Sequence, residues 1–172
     1  MKKALFLDRD GVINVDFGYV YQIDNFEWQE GIFDLCSKAI EKGYLIIIIT
    51  NQSGIARGYY TEKDLSKLHN WMTQEFQANN IHITEIYYCP HHPEIDQEMC
   101  NCRKPASGMF EKAIQDYNID VSQSIMIGDK ETDLIPAKKL NITKRFQLNN
   151  DQKLYDPSIL KIKFLHEVID FL

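Results

Sequence analysis

Two aspartates separated by one residue stand at the end of a short apolar run near the start of the chain. Phe6 and Leu7 precede Asp8, and Asp10 is followed by Gly11. A turn at the glycine lets the two carboxylates diverge, so that one can attack a phosphorus atom while the other moves protons. Two close carboxylates repel unless a cation lies between them, and oxygen ligands suit Mg²⁺. The pattern predicts magnesium-dependent phosphoryl transfer through a phospho-aspartyl intermediate on Asp8.

Three later loops carry the other groups that this chemistry needs. Residues 50–54 (Thr-Asn-Gln-Ser-Gly) offer a hydroxyl and backbone N–H donors, Arg103 and Lys104 offer two cations, and residues 128–133 include Asp129 as a further metal ligand. Such groups stabilise the charge on a transferring phosphoryl group. Each loop alone is weak evidence for a catalytic site, because each resembles an ordinary turn or a solvated pair of charged residues. Their combination and order indicate a phosphatase site.

The elements that must position these loops form an alternating pattern. Short apolar runs predict buried parallel strands at residues 5–8, 44–50, 86–89 and 125–129. Helical stripes lie between or beside them, at residues 32–40 before Gly43, 65–76 after a Thr61 cap, 110–117 and 134–140. This α/β pattern predicts a Rossmann-like three-layer sandwich with a mostly parallel sheet, in which ligands bind beyond the carboxyl ends of the strands.

The remaining segments give fewer signals. We expect a loop at residues 149–151, a last strand at 162–165 and a short helix at 166–172. The chain reads as a single phosphatase domain over residues 1–172. Long insertions after Asp10 or Thr50 are missing from the sequence, so we expect no large cap domain and a small substrate.

Composition narrows the function classes. Hydrophobic residues make up 44% of the chain and the formal net charge is −6, which argues against a broad nucleic-acid surface. The first apolar run is too short for a secretory signal or a membrane span. We therefore expect a cytoplasmic protein that acts on a small phosphorylated molecule without a nucleic-acid or membrane partner, and a monomer.

A cysteine and histidine cluster predicts a second metal site. Cys89 is followed by His91 and His92, and Cys100 and Cys102 follow about ten residues later. Three thiols and one imidazole fit a closed tetrahedral Zn²⁺ site, and spacing alone leaves either histidine open as the fourth ligand. Because Arg103 and Lys104 come next, a structural zinc would position the loop that carries these cations. Cys36 lies apart on an apolar helical face.

Together these motifs resemble the haloacid dehalogenase superfamily of phosphatases. The resemblance rests on residues 8–11, Thr50-Asn51, Lys104 and residues 128–133. It implies that Asp8 is the nucleophile and Asp10 the acid/base, and that Thr50 and Lys104 hold the phosphoryl group. It also implies that Asp8, the Asp10 main chain and Asp129 bind Mg²⁺, with Asp133 orienting the metal shell.

The zinc loop resembles a branch that contains the D-glycero-D-manno-heptose 1,7-bisphosphate phosphatases and the histidinol-phosphate phosphatases. Residues 16–20 (Asp-Phe-Gly-Tyr-Val) and 50–58 are similar to the heptose bisphosphatase pattern. The resemblance implies that the 7-phosphate is removed and that His91 is the zinc ligand. It also implies that substrate contacts come from Asp16, Phe17, Gly18, Tyr19, Asn51, Gln52, Ser53, Arg103 and Lys130.

Three other readings stay open from the sequence. A histidinol-phosphate phosphatase is the first, although an acidic residue would be expected where Ser53 stands. A non-catalytic phospho-acceptor is the second, since receiver domains also place acidic groups, a Thr and a Lys on a parallel sheet. The third is a zinc-stapled binding module without catalysis. Asp10 and the zinc loop argue against the second reading, and the full set of catalytic residues argues against the third.

Overall fold

The protein is built on a six-stranded sheet in which all neighbouring strands are parallel. The computed structural model describes residues 1–97, 99–148 and 155–172. The strand order is β3-β2-β1-β4-β5-β6. The strands are β1 (Lys3–Leu7), β2 (Tyr44–Asn51), β3 (Ile83–Cys89), β4 (Ile125–Gly128), β5 (Lys144–Leu148) and β6 (Leu160–Ile162).

The strands that the apolar runs predict are all present. β1 is central, so that Leu5 pairs with Ile46 of β2 on one side and with Ile125 of β4 on the other. The strand predicted at residues 162–165 overlaps β6 only at Ile162, because β6 begins at Leu160 and ends at Ile162. The short helix predicted at residues 166–172 is the 3-10 helix Leu165–Phe171. β5 is an addition that the sequence pattern did not predict. The predicted loop at residues 149–151 lies outside the described residues.

In the part of the chain that the structure describes, five α-helices and three 3-10 helices accompany the strands. The four predicted helices are present, and Thr61 caps α2 as predicted, because its Oγ1 accepts from the Asp64 N–H at 3.1 Å. Gly43 follows α1 with a φ of +84°, which fits the predicted role of a glycine just past a helix end. The α-helices are α1 (Ile32–Glu41), α2 (Glu62–Ala78), α3 (Pro93–Asp96), α4 (Gly108–Tyr117) and α5 (Glu131–Lys139), and the 3-10 helices are Ile23–Asn25, Val121–Gln123 and Leu165–Phe171.

Both faces of the sheet are buried, which confirms the predicted three-layer sandwich. Alternate residues of a strand point to opposite faces. Leu5 and Ile46 therefore pack in one core with α1 and α2, whereas Phe6 and Ile47 pack in a second core with α4 and α5. Helices thus cover the sheet on both sides, and its strand ends position the polar loops that follow them.

Short loops surround the carboxyl ends of β1 and β2. Residues 8–31 and 52–61 are fully described, and they contain no element larger than the 3-10 helix Ile23–Asn25. Large caps are therefore absent from these two connections, as predicted. Among the described residues, no helix is both long and apolar enough to cross a membrane.

Candidate active site and metal centre

The predicted catalytic loops meet at one edge of the sheet. Asp8 directly follows β1, Asn51 ends β2, Cys89 ends β3 and Asp129 directly follows β4. Because parallel strands all present their carboxyl ends at the same edge, four loops that are distant in sequence converge there. The buried strands leave these loops little freedom.

A buried lysine joins two aspartates at the centre of this edge. The Nζ atom of Lys104 donates to Asp8 Oδ1 at 2.6 Å, lies 2.9 Å from Asp133 Oδ1, and donates to the Ile49 carbonyl at 2.7 Å. Burial and the charge of Asp133 raise the pKa of Asp8, although Lys104 opposes the rise. Asp8 thus lies beside a fixed ammonium group, an arrangement that fits the predicted role of a nucleophile for an anionic substrate.

Three carboxylates are close enough to share one metal ion. Oxygen atoms of Asp8, Asp129 and Asp133 lie within 4.8 Å of one another. Burial, followed by the charge of Asp133, raises the pKa of Asp129 to about 7. Neighbouring carboxylates repel one another when they are ionised, and a divalent cation between them would remove this repulsion. Three carboxylate oxygens are ligands that suit Mg²⁺.

Two glycines make room for these carboxylates. A Cβ atom on Gly11 would lie 2.6 Å from the Asp129 carboxylate, and one on Gly128 would lie 2.6 Å from Asp133 Cβ. Real Cβ contacts are not this short. The glycines that flank the two acidic motifs therefore permit the close approach of the loops.

The Asp10 side chain does not belong to the three-carboxylate group of Asp8, Asp129 and Asp133. Its oxygens accept from Arg9 Nη2 at 2.9 and 3.0 Å, from Asn14 Nδ2 at 3.0 Å and from Gln52 Nε2 at 2.9 Å. Burial alone would raise its pKa, but the Arg9 charge and these hydrogen bonds outweigh burial and lower the pKa. The separation fits the predicted division of roles, in which only the Asp10 main chain belongs to the metal shell.

The end of β2 and the loop that follows it are hydrogen-bonded to the segment that carries Lys104. Thr50 is buried and its Oγ1 accepts from Gln52 Nε2 at 2.9 Å. Asn51 binds the main chain of Lys104 twice, through Lys104 N to Asn51 Oδ1 at 3.0 Å and Asn51 Nδ2 to Lys104 O at 3.1 Å. Tyr60 donates to Gln52 Oε1 at 2.6 Å. These bonds fix the loop that presents Lys104.

A cavity of about 550 Å³ opens over this constellation. Three of the four predicted catalytic residues line it, namely Asp8, Asp10 and Lys104, whereas the buried Thr50 does not. Eight of the nine predicted substrate contacts line it as well. Phe17 is the exception, since this residue is 61% exposed and lines a neighbouring groove. The predicted contacts on the cavity wall are Asp16, Gly18, Tyr19, Asn51, Gln52, Ser53, Arg103 and Lys130.

Cations lie on two sides of the cavity. Lys130 Nζ is 3.3 Å from Asp16 Oδ2 and 3.5 Å from Asp129 Oδ2. Burial alone would lower its pKa, but the two aspartates outweigh burial and raise it, so Lys130 stays charged. Arg103 donates through Nη1 to the His91 carbonyl at 3.2 Å, which anchors the guanidinium to the cysteine-rich loop.

The predicted zinc ligands come together. The Sγ atoms of Cys89, Cys100 and Cys102 and a ring nitrogen of His91 all lie within 4.8 Å of one another, and all the cysteines are free thiols. Three sulfurs and one imidazole nitrogen are the donor set of a structural Zn²⁺ site. The Cys/His cluster therefore fits zinc.

His92 has a different environment from His91. Its Nε2 lies 2.8 Å from Arg57 Nη2, and an arginine can only donate, so His92 Nε2 accepts. The His92 N–H also donates to Asp96. The structure thus groups His91, and not His92, with the three cysteines, which agrees with the prediction.

Three residues at or beside the cavity were not predicted from the sequence. Tyr60 and Thr132 line the cavity, and Arg9 is fully buried against Asp10. Thr132 lies inside a motif that was already singled out, and Arg9 lies between the two catalytic aspartates. For both residues, their position within or beside a predicted motif could have indicated a place in the site. Tyr60 carried no local signal.

Comparisons with known proteins agree with this geometry. The model of the family described as polynucleotide kinase 3 phosphatase matches residues 7–160. The chain is 48% identical over 145 residues to a D-glycero-beta-D-manno-heptose-1,7-bisphosphate 7-phosphatase of Haemophilus ducreyi, covering 82% of this chain and 80% of that protein. It is 46% identical over 169 residues to the corresponding alpha-heptose enzyme of Campylobacter jejuni, covering 98% and 95%. The crystal structure of D,D-heptose 1,7-bisphosphate phosphatase from B. bronchiseptica, complexed with magnesium and phosphate, superposes with a TM-score of 0.88 at 25% identity, covering 98% and 97%.

Proposed function

The chain belongs to the D-glycero-D-manno-heptose 1,7-bisphosphate 7-phosphatases of the haloacid dehalogenase superfamily, and we propose that it hydrolyses the 7-phosphate of this sugar to give heptose 1-phosphate. The observation that carries the chemistry is the buried Asp8 carboxylate, 2.6 Å from Lys104 Nζ and within reach of the Asp129 and Asp133 oxygens. The substrate is supported by relatives that are 46 to 48% identical to this chain over the aligned residues.

The proposed reaction has two steps. Asp8 attacks phosphorus and forms an O–P bond while the bond to the sugar oxygen breaks. Asp10 first binds a proton, because its contacts with Arg9, Asn14 and Gln52 favour the carboxylate, and then gives this proton to the sugar oxygen. Asp10 then takes a proton from water, the water oxygen attacks phosphorus, and the bond to Asp8 breaks to release inorganic phosphate. Lys104 and the Thr50 loop hold the phosphoryl oxygens in both steps.

Mg²⁺ bound by Asp8, Asp129 and the Asp10 main chain would neutralise charge on the phosphoryl group and on the carboxylates. Asp133 holds Lys104 at 2.9 Å and accepts from the Lys130 N–H at 3.1 Å, which fits its proposed role of orienting the metal shell. Zn²⁺ in the Cys/His cluster would have a structural role, because its four protein ligands fill a tetrahedral shell.

Substrate selection is assigned to the cavity wall. We propose that Arg103 binds the distal phosphate through its planar guanidinium. Asp16, Gly18 and Tyr19 would contact the sugar from one side, and Ser53 would do so from the other. Ser53 occupies the position at which an acidic residue is expected in a histidinol-phosphate enzyme, and this favours the neutral sugar over a cationic substrate.

A polynucleotide substrate is less well supported, although the matching family model is described by such an activity. The formal net charge of −6 does not favour a nucleic-acid surface. We propose instead a cytoplasmic monomer that acts on a free sugar phosphate, and four free thiols fit a reducing compartment.

The test is phosphate release with Mg²⁺ from each anomer of heptose 1,7-bisphosphate, beside histidinol phosphate and a 3′-phosphorylated oligonucleotide. We expect preferred turnover of the bisphosphate and its loss in Asp8→Asn. Relatives named for either anomer match the chain, so the two anomers are measured separately. Faster turnover of histidinol phosphate or of the oligonucleotide would overturn the substrate assignment, and turnover that survives Asp8→Asn would overturn the mechanism.

A further inference from the structure

Arg9 is a fully buried arginine in direct contact with the proposed acid/base residue. Its Nη2 donates to both oxygens of Asp10 and to the Val20 carbonyl at 2.6 Å, and its Nη1 lies 3.1 Å from His69 Nε2. Removing a guanidinium from water is unfavourable unless its donors are used. Here one side chain joins Asp10, the substrate segment that ends at Val20, and helix α2.

His69 supplies the acceptor that orients this guanidinium. The side chain belongs to α2 and is buried against Arg9. Because arginine can only donate, His69 Nε2 must accept, and its ring is neutral with the proton on Nδ1. Burial, together with the Arg9 charge, lowers the pKa of His69 to about 3, which agrees with a neutral ring.

The Asp10 carboxylate is held in place from three directions. Arg9 binds both of its oxygens, and Asn14 and Gln52 each donate to one. A general acid must lie within hydrogen-bond reach of the atom that it protonates, and small misplacements reduce the rate strongly. Arg9 is the only one of the three donors that also reaches the segment at Val20 among the contacts of the described residues.

We propose that Arg9, aligned by His69, is a positioning residue that fixes Asp10 for proton transfer to the leaving oxygen and ties it to the substrate segment 16–20. This inference rests on the proposed phosphatase function. If Arg9 is lost or misaligned, kcat/KM should fall. The fall should be larger for substrates whose leaving group must be protonated.

The experiment compares two substrates whose leaving groups differ in this need. A sugar phosphate releases an alkoxide that must be protonated, whereas p-nitrophenyl phosphate releases a phenolate that leaves without a proton. We expect kcat/KM of His69→Leu and Arg9→Met to fall about 10- to 100-fold with heptose 1,7-bisphosphate, and by less than about threefold with the aryl ester, since general-acid catalysis contributes about 10²–10⁴.

Matched variants separate positioning from general damage. His69→Gln keeps an acceptor for Arg9 and should stay within about threefold of the wild type on both substrates, because it preserves the hydrogen bond. Asn70→Leu, an exposed neighbour on the same helix, should also leave both rates unchanged. Circular dichroism and zinc content are measured for every variant. If Arg9→Met does not fold, the comparison of His69→Leu with His69→Gln still tests the proposal.

Equal losses on the two substrates in His69→Leu would overturn the proposal, as would a His69→Gln variant that is as slow as His69→Leu. Failure of the proposed function is recognised separately. In that case the wild-type protein itself would not release phosphate from heptose 1,7-bisphosphate, and the leaving-group comparison would be made with whichever alkyl phosphate it does hydrolyse. If it hydrolyses no alkyl phosphate, Asp10 has no leaving oxygen to protonate and the proposal is overturned as well.

Discussion

Replacing Asp129 with Asn should stabilise the protein in the absence of Mg²⁺ while removing its response to Mg²⁺. Asp129 lies with Asp8 and Asp133 in the three-carboxylate group, and its pKa is raised from 3.8 to about 7 by burial and by Asp133. A carboxyl group whose pKa is raised on folding favours the folded state below pH 3.8. That advantage is lost as the pH rises through 7.

The size of this effect follows from the pKa. A rise from 3.8 to about 7, at about 1.36 kcal/mol per pH unit, corresponds to at most about 4 kcal/mol of unfolding free energy lost by pH 8. The side chain is 15% exposed and Lys130 lies 3.5 Å away, so we expect about 2 kcal/mol. Asn carries no charge, and the advantage of the variant should therefore grow between pH 5 and pH 8.

The assay is urea unfolding of wild type and Asp129→Asn at pH 5 and pH 8, followed by the fluorescence of Trp28 and Trp71. Mg²⁺ is omitted without adding a chelator, because a chelator would also remove zinc. Asp170→Asn, at an exposed position, is the control. Adding Mg²⁺ at about 100 times its Kd should stabilise the wild type by about 2.7 kcal/mol and leave the variant unchanged. A difference between variant and wild type that stays constant from pH 5 to pH 8 would refute the reasoning.

Three further perturbations test other parts of the structure. Cys100→Ser should lower bound zinc to well below one ion per chain and reduce the Tm, whereas Cys36→Ala should keep the zinc, as measured by metal analysis and thermal unfolding. Gly54→Ala should lower the unfolding free energy by about 1–3 kcal/mol in urea titrations, because the added Cβ would lie 2.1 Å from the Tyr60 ring. Arg103→Lys should raise the KM for heptose 1,7-bisphosphate about tenfold and change the KM for heptose 7-phosphate less than threefold, since the planar fork is lost but the charge is kept.

Each of these has an outcome that contradicts it. Full zinc content in Cys100→Ser would mean that the cluster is not the zinc site. Wild-type stability of Gly54→Ala would mean that the Tyr60 ring can move aside without loss. An equal rise in KM for both substrates of Arg103→Lys would mean that Arg103 does not recognise the distal phosphate.

The sequence predicted the convergence of the catalytic loops because strand ends are local signals. Asp8 and Asp129 each follow a run of apolar residues, and a parallel sheet then brings such positions to one edge. The zinc cluster was predictable for a similar reason, since two of its three thiols lie within three residues and the third is two residues from His91. Side-chain type and spacing were sufficient in both cases.

Elements that depend on distant partners were not predictable. β5 contains the polar residues Lys144, Arg145 and Gln147, so its sequence does not show the apolar run that is typical of a buried strand. Arg145 is nevertheless buried, because Asp156 accepts from its guanidinium at 2.8 Å, and Gln147 donates to the Asp129 carbonyl at 3.1 Å. Arg9 was missed for the same reason, since a charged residue beside an aspartate resembles a solvated turn until its buried acceptors are known.

All the proposed chemistry lies at one end of the sheet, and this leaves the other end available for attachment. The turn at Lys42 and Gly43 is exposed and precedes β2, whose eight residues separate it from Asn51. At about 3.3 Å per residue that is a distance of about 26 Å. A dye or a surface linker coupled at Lys42 would therefore leave the cavity facing the solution, and an immobilised form of the protein would stay open to its substrate.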